Sequence, residues 1–99
     1  MSILFFAGAC VAVLPKLSQD QIRWANVRWP DVTPEELNQG RRLYVSRCSG
    51  CHTLFLPQDF TAVQWQHQLE EMGEQAKLNA SQREMVFKYL ISAAEMQKK

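Results

Sequence analysis

Cys48-Ser49-Gly50-Cys51-His52 is the stretch that decides how this chain is read. Two cysteines separated by two residues and followed at once by histidine form the attachment sequence for c-type haem. The spacing has a chemical reason. Each thiol can add to one vinyl group of the porphyrin, and the short spacer lets both sulfurs reach it. The adjacent His52 is then carried under the ring, where an imidazole nitrogen ligates iron from the proximal side. Covalent attachment keeps the cofactor bound even in a domain too small to wrap it fully. One such motif predicts one covalent haem c, held by Cys48, Cys51 and His52.

Two other chemistries use paired cysteines. A thioredoxin-like redox site needs strands alternating with helices around the motif, and no β-rich run is visible. A four-ligand zinc site needs two further well-spaced Cys or His. Only Cys10, far upstream in an apolar segment, and His67 remain.

Size and charge agree with the haem reading. A chain of 99 residues supports one domain at most and has little core to spare. A haem at its centre supplies the missing apolar volume, so the apo chain is expected to fold poorly. Eleven basic residues nearly balance ten acidic ones, with no long basic stripe for nucleic acid and no charge block for a disordered tail. Arg41, Arg42 and Arg47 before the motif, and Glu70, Glu71 and Glu74 after it, read as solvated helix faces.

Residues 1–14 are almost entirely apolar. They are too few for a transmembrane helix of about 20 residues, but they match the length of a secretory apolar region. No Lys or Arg precedes them, which departs from the usual signal. Ala7-Gly8-Ala9 before Cys10 resembles both a cleavage site and a weak lipobox in which Cys10 carries lipid; a third reading makes Cys10 a small apolar residue of the segment. The segment is expected to be an export signal or a lipoprotein-type anchor. Residues 15–32 are polar, contain Pro15 and Pro30 and show no sustained period, so they read as a connector. Two indoles, Trp24 and Trp29, would be costly to expose, so this stretch is expected to lie against the domain.

The domain itself, residues 33–99, begins with a helix start. Thr33 suits the N-cap, Pro34 the first helical position, and Glu36 completes a capping box. Leu37, Gly40 and Tyr44 then fall on one face, with Leu43 beside them. A glycine inside a helix costs about 1 kcal/mol relative to alanine, which points to a close helix contact at Gly40. A second helix is expected from about Ala62 to Ala76, capped by Thr61. Asn79-Ala80-Ser81 interrupts the pattern, and Ser81 with Glu84 predicts a capping box for a last helix over about Gln82 to Met96. Val86, Tyr89, Leu90 and Ala93 form its apolar side, facing the first helix.

Gly40-Arg41-Arg42-Leu43-Tyr44, the Cys48–His52 motif and the terminal Tyr89-Leu90 together resemble a small class I cytochrome c, over about Thr33 to Met96. More narrowly, Cys-His-x-Leu-x-x-Pro followed by a Trp and a later Met is similar to compact bacterial monohaem domains, some of them lipid-anchored. The resemblance implies an all-α, cytochrome c-like domain wrapped around one covalently bound haem, with its first and last helices crossing near the glycine and aromatic positions. It also implies export, because bacterial c-type haem is attached outside the cytoplasmic membrane. It suggests that a proline carbonyl near Pro57 accepts from the second nitrogen of the ligating imidazole, although Pro57 also suits an ordinary turn. Trp65 has two readings, core residue or donor to a haem propionate. The chain lacks the long glycine-rich loop that carries the distal methionine in mitochondrial-type cytochromes.

The sixth ligand is therefore argued from this sequence, among His67, Met72, Met85 and Met96. Trp65, Leu69 and Met72 recur at spacings of four and three on one apolar face. His67 lies two residues from Trp65, about 200° around the helix, and points the other way. Met85 and Met96 belong to a helix whose inner face is committed to the first helix. Met72 is the expected distal ligand, with space-filling beside the ring as its alternative. Gly73, next in sequence, would let its sulfur come close to iron. The expectation is a single-electron carrier with His52 and Met72 as axial ligands, serving redox partner proteins in the periplasm or another exported location, with possible membrane attachment through the N-terminal segment. No nucleophile–base pair or carboxylate dyad suggests an enzyme. The rival class is a gas-binding or sensor domain with a labile sixth position.

Overall fold

A computed structural model describes residue 14, residues 16–48 and residues 55–97, with only the backbone of Cys48. Among these residues lie four α-helices and no strand: α1 (Gln19–Arg28), α2 (Pro34–Leu43), α3 (Ala62–Gln75) and α4 (Ala80–Met96). A π-helical turn, Tyr44–Cys48, continues α2, and a short 3-10 turn, Pro57–Asp59, precedes α3. The all-α expectation holds.

Local chemistry starts these helices. Thr33 accepts from the Glu36 N–H while the Glu36 side chain reaches back to the Thr33 N–H, with Pro34 at the first position. Thr61 and Gln64 make the same reciprocal pair for α3. α4 begins two residues earlier than the sequence predicts, because Asn79 with Gln82, not Ser81 with Glu84, forms its capping box. The reason lies in how α3 ends. Lys77 turns left-handed at φ 59°, Leu78 donates to the Gly73 carbonyl and Lys77 to that of Glu74, a Schellman ending. Asn79 is then already extended, at φ −78° and ψ 176°, which an N-cap requires.

α2 crosses α4 at Gly40. A Cβ placed there would lie 2.6 Å from the Met85 carbonyl carbon and closer still to its oxygen, so only glycine admits the backbone of α4. Around the crossing, Leu43, Tyr44, Val86, Tyr89, Leu90 and Ala93 are buried in one core with Trp65 and Leu69 of α3. Leu14, at the end of the apolar N-terminal stretch, is buried in this core, and its carbonyl accepts from Arg41 Nη2 at 3.2 Å.

The stretch read as a connector holds α1, a helix that hydropathy did not announce. Ser18 caps it, and its Gln21 is buried, donating to Ser92 Oγ at 2.9 Å. Trp24 and Trp29 pack against the main core, as expected for indoles in this segment. Ala25, Val32 and Leu37 form a second small cluster, against which Trp29 also packs. No buried side-chain polar atom among the described residues lacks a hydrogen-bond partner. None of the described helices is long and apolar enough to cross a membrane.

Candidate haem-attachment site

Cys48 closes the π-helical turn that extends α2, while Cys51 and His52 lie outside the described residues. Cys10 lies outside them as well. The two flanks of the motif are described and fastened. Upstream, the hydroxyl of buried Tyr44 donates to the Phe55 carbonyl, the first described residue after the motif, at 2.5 Å. This bond spans the motif, from four residues before Cys48 to three after His52. π-helical turns concentrate at functional sites, where the wider turn changes the phase of the residues that follow.

Downstream, Pro57 is buried at the start of the 3-10 turn, and its carbonyl accepts from Trp65 Nε1 at 2.7 Å. Trp65 is therefore a core residue, and its single N–H is committed to that carbonyl. A carbonyl has two lone pairs, so Pro57 keeps capacity for one more donor. The rings of Tyr44, Trp65, Phe60 and Phe55 stand edge to face in sequence, with centroids 5.8, 4.9 and 5.1 Å apart. This aromatic chain links the two flanks through the core. Beside Phe60, a groove of about 500 Å³ opens between α1, the start of α3 and the end of α4, with Trp24 and Ile91 in its wall.

On α3 the buried line is Trp65, Leu69 and Gly73, and Met72 stands half-buried at its edge. A Cβ on Gly73 would lie 2.6 Å from Arg83 Cδ, so the glycine accommodates the Arg83 side chain from α4. His67 is exposed and pairs with Glu71 at 3.1 Å, as its place on the outer face predicts. Met85 and Met96 are half-buried on α4, and the Met85 carbonyl meets Gly40.

Two features of the site escaped the sequence reading. The hydroxyl of Tyr44 has a partner that its place on a helix face does not reveal. Arg47, taken there for a solvated charge, donates to the carbonyls of Ala76 and Lys77 at the end of α3. A signal for the second existed: α3 ends without a glycine, and its last carbonyls need donors.

The residues suit a covalently held haem. Two thiols and an imidazole stand in one five-residue motif, Tyr44 joins the described flanks on either side of it, and Arg47 ties the upstream flank to the residues that close the helix bearing Met72. Thiols for two vinyl groups, an imidazole and a thioether match the needs of a c-type haem iron.

No curated protein and no solved structure matches the chain. A family model described as dihaem cytochrome c matches residues 44–99, more than half of its length. The match opens at Tyr44, spans the motif and α3, and runs through α4. The class I monohaem resemblance is thereby met at the coarser level of a c-type cytochrome, since the matching family is described as dihaem. With the motif inside the matched region, the chain belongs to the dihaem cytochrome c family.

Proposed function

We propose that the chain carries single electrons on one covalently attached haem, with Cys48 and Cys51 as thioether donors, His52 as proximal ligand and Met72 as distal ligand. The observation that carries this reading is the single Cys-x-x-Cys-His inside the matched region. The family is described as dihaem, but these 99 residues supply thiols for one haem. When bound, the haem supplies an iron centre that accepts and releases one electron.

The chain's own residues do the rest. Tyr44 joins the two described flanks of the motif by holding the Phe55 carbonyl. Trp65 orients the Pro57 carbonyl, whose remaining lone pair suits the second imidazole N–H of His52 and would set its ring orientation. The buried Trp65–Leu69–Gly73 line lends α3 an apolar face, and Met72 at its edge offers the thioether. Histidine opposite a thioether gives a higher potential than two histidines. The partners are electron-donor and electron-acceptor proteins outside the cytoplasm, and the chain turns over no substrate of its own. Residues 1–14 serve as its export signal or, through a lipidated Cys10, as its anchor.

The test is protein matured in a c-haem-competent host. A pyridine haemochrome assay should find one covalent haem per chain, and the ferric protein should show the weak far-red sulfur-to-iron band. Met72→Ala should abolish that band and open the ferrous iron to carbon monoxide. Colourless protein would end the haem reading. Rapid, full carbon monoxide binding by the unaltered protein would favour a sensor. A band that survives Met72→Ala but disappears in Met85→Ala or Met96→Ala would move the ligand.

A further inference from the structure

Arg47 stands immediately before Cys48 and reaches across to another helix. Its Nη1 donates to the Ala76 carbonyl at 3.1 Å and the Lys77 carbonyl at 2.9 Å, both at the C-terminal end of α3. The Ala76 N–H in turn donates to the Met72 carbonyl at 2.9 Å. One run of bonds thus leads from the residue beside the first haem thiol to the backbone of Met72. Carbonyls at a helix C-terminus lack partners within the helix and carry partial negative charge, and a guanidinium answers both needs. α3 has particular use for it. Its last turn holds no basic residue of its own, and it closes through Lys77 in a left-handed conformation that disfavours side chains larger than glycine.

From these bonds we infer that Arg47 is a positioning residue for the distal ligand. It ties the segment that carries Cys48 to Ala76 and Lys77, which close the helix that carries Met72, and so holds the thioether in place for the iron. The inference rests on the reading of Met72 given above. The neighbouring Arg42 does not share the role, because its Nη2 bonds Gln39 on its own helix at 2.7 Å. Freeing the end of α3 raises the fraction of molecules in which the sulfur is off the iron. An added ligand's apparent affinity rises in proportion to that fraction. Loss of a charge-assisted hydrogen bond at an exposed site corresponds to about a tenfold change.

The experiment is an imidazole titration of the ferric holoprotein, followed through the shift of the main haem absorption band in every variant and, where Met72 is present, through loss of the far-red band as well. Arg47→Ala should bind imidazole about tenfold more tightly than the parent. Arg47→Lys, which keeps the charge but not the fork, should fall between them and covers the case in which Arg47→Ala matures poorly. Arg42→Ala removes an equal charge nearby and should match the parent. In a Met72→Ala background, which has no sulfur to displace, Arg47→Ala should change nothing further. Unchanged affinity in both Arg47 variants would overturn the inference, as would an equal shift in Arg42→Ala or a full Arg47→Ala effect in the Met72→Ala background. A far-red band retained by Met72→Ala would instead overturn the ligand assignment itself, whatever Arg47 does.

Discussion

Gly40→Ala is the sharpest perturbation of the scaffold. The new Cβ would sit 2.6 Å from the carbonyl carbon of Met85 and 3.1 Å from the Val86 nitrogen. Both are backbone atoms of α4, so no side chain can swing aside and the two helices must separate. Overpacking of this kind costs about 1–3 kcal/mol, and a clash against backbone belongs at the upper end. Alanine returns about 1 kcal/mol through its better helix propensity. The net loss is therefore about 2 kcal/mol, which lowers Tm by about 10 °C in a domain of this size. Gly73→Ala provides the internal comparison. Its Cβ would also approach to 2.6 Å, but against Arg83 Cδ, in a flexible side chain that can move. That variant should be neutral or gain up to about 1 kcal/mol. Thermal unfolding followed by helical circular dichroism, on samples of equal haem content, measures both. Equal shifts in the two variants, or a Gly40→Ala protein as stable as its parent, would refute the view that α4 lies on the α2 backbone.

Other outcomes follow from single residues. Gln21→Ala should cost about 2–3 kcal/mol in urea unfolding, because it empties a buried site and leaves Ser92 and the Tyr89 carbonyl without that donor; a change below about 0.5 kcal/mol would mean that α1 adds nothing to the fold. Burial raises the pKa of Tyr89 above its ordinary 10.0, against a smaller lowering by the nearby Arg41 charge and its hydrogen bond. The folded state thus holds this proton more tightly than the unfolded chain. The contribution is fully present below pH 10.0 and is lost as pH rises through the higher folded value. Stability should fall more steeply above that pH in the parent than in Tyr89→Phe, and parallel curves would contradict the assignment. Cys48→Ala or Cys51→Ala should each remove one thioether and leave poorly matured protein, while Cys10→Ala should keep its haem. Lost haem in the Cys10 variant with export unchanged would reassign that cysteine, and a shift from the membrane to the soluble fraction would mark it as lipidated.

Much of the fold is legible because the signals are local. The capping box at Thr33, the cap at Thr61, the helix faces around Leu37 and Val86, and the glycine at the crossing each depend on residues within a turn or two. The haem motif is legible for the same reason, since thiol and imidazole chemistry is written in five consecutive residues. Where the reading departs from the structure, the deciding partner is distant. Asn79-x-x-Gln82 and Ser81-x-x-Glu84 are equivalent boxes locally, and the left-handed turn at Lys77 selects the first. α1 shows no apolar stripe because one of its buried positions is a glutamine, satisfied by Ser92 71 residues away.

The sequence by itself determined the thiol and imidazole spacing of the motif and the starts of α2 and α3, because spacing and side-chain type act over a few bonds. Only the tertiary structure decided that Trp65 gives its N–H to Pro57, that Tyr44 gives its hydroxyl to the Phe55 carbonyl, and that Arg47 reaches the end of α3. Those are hydrogen bonds between segments that meet only after the helices have packed. A polar side chain states in sequence that it needs a partner, and the packed chain supplies which one.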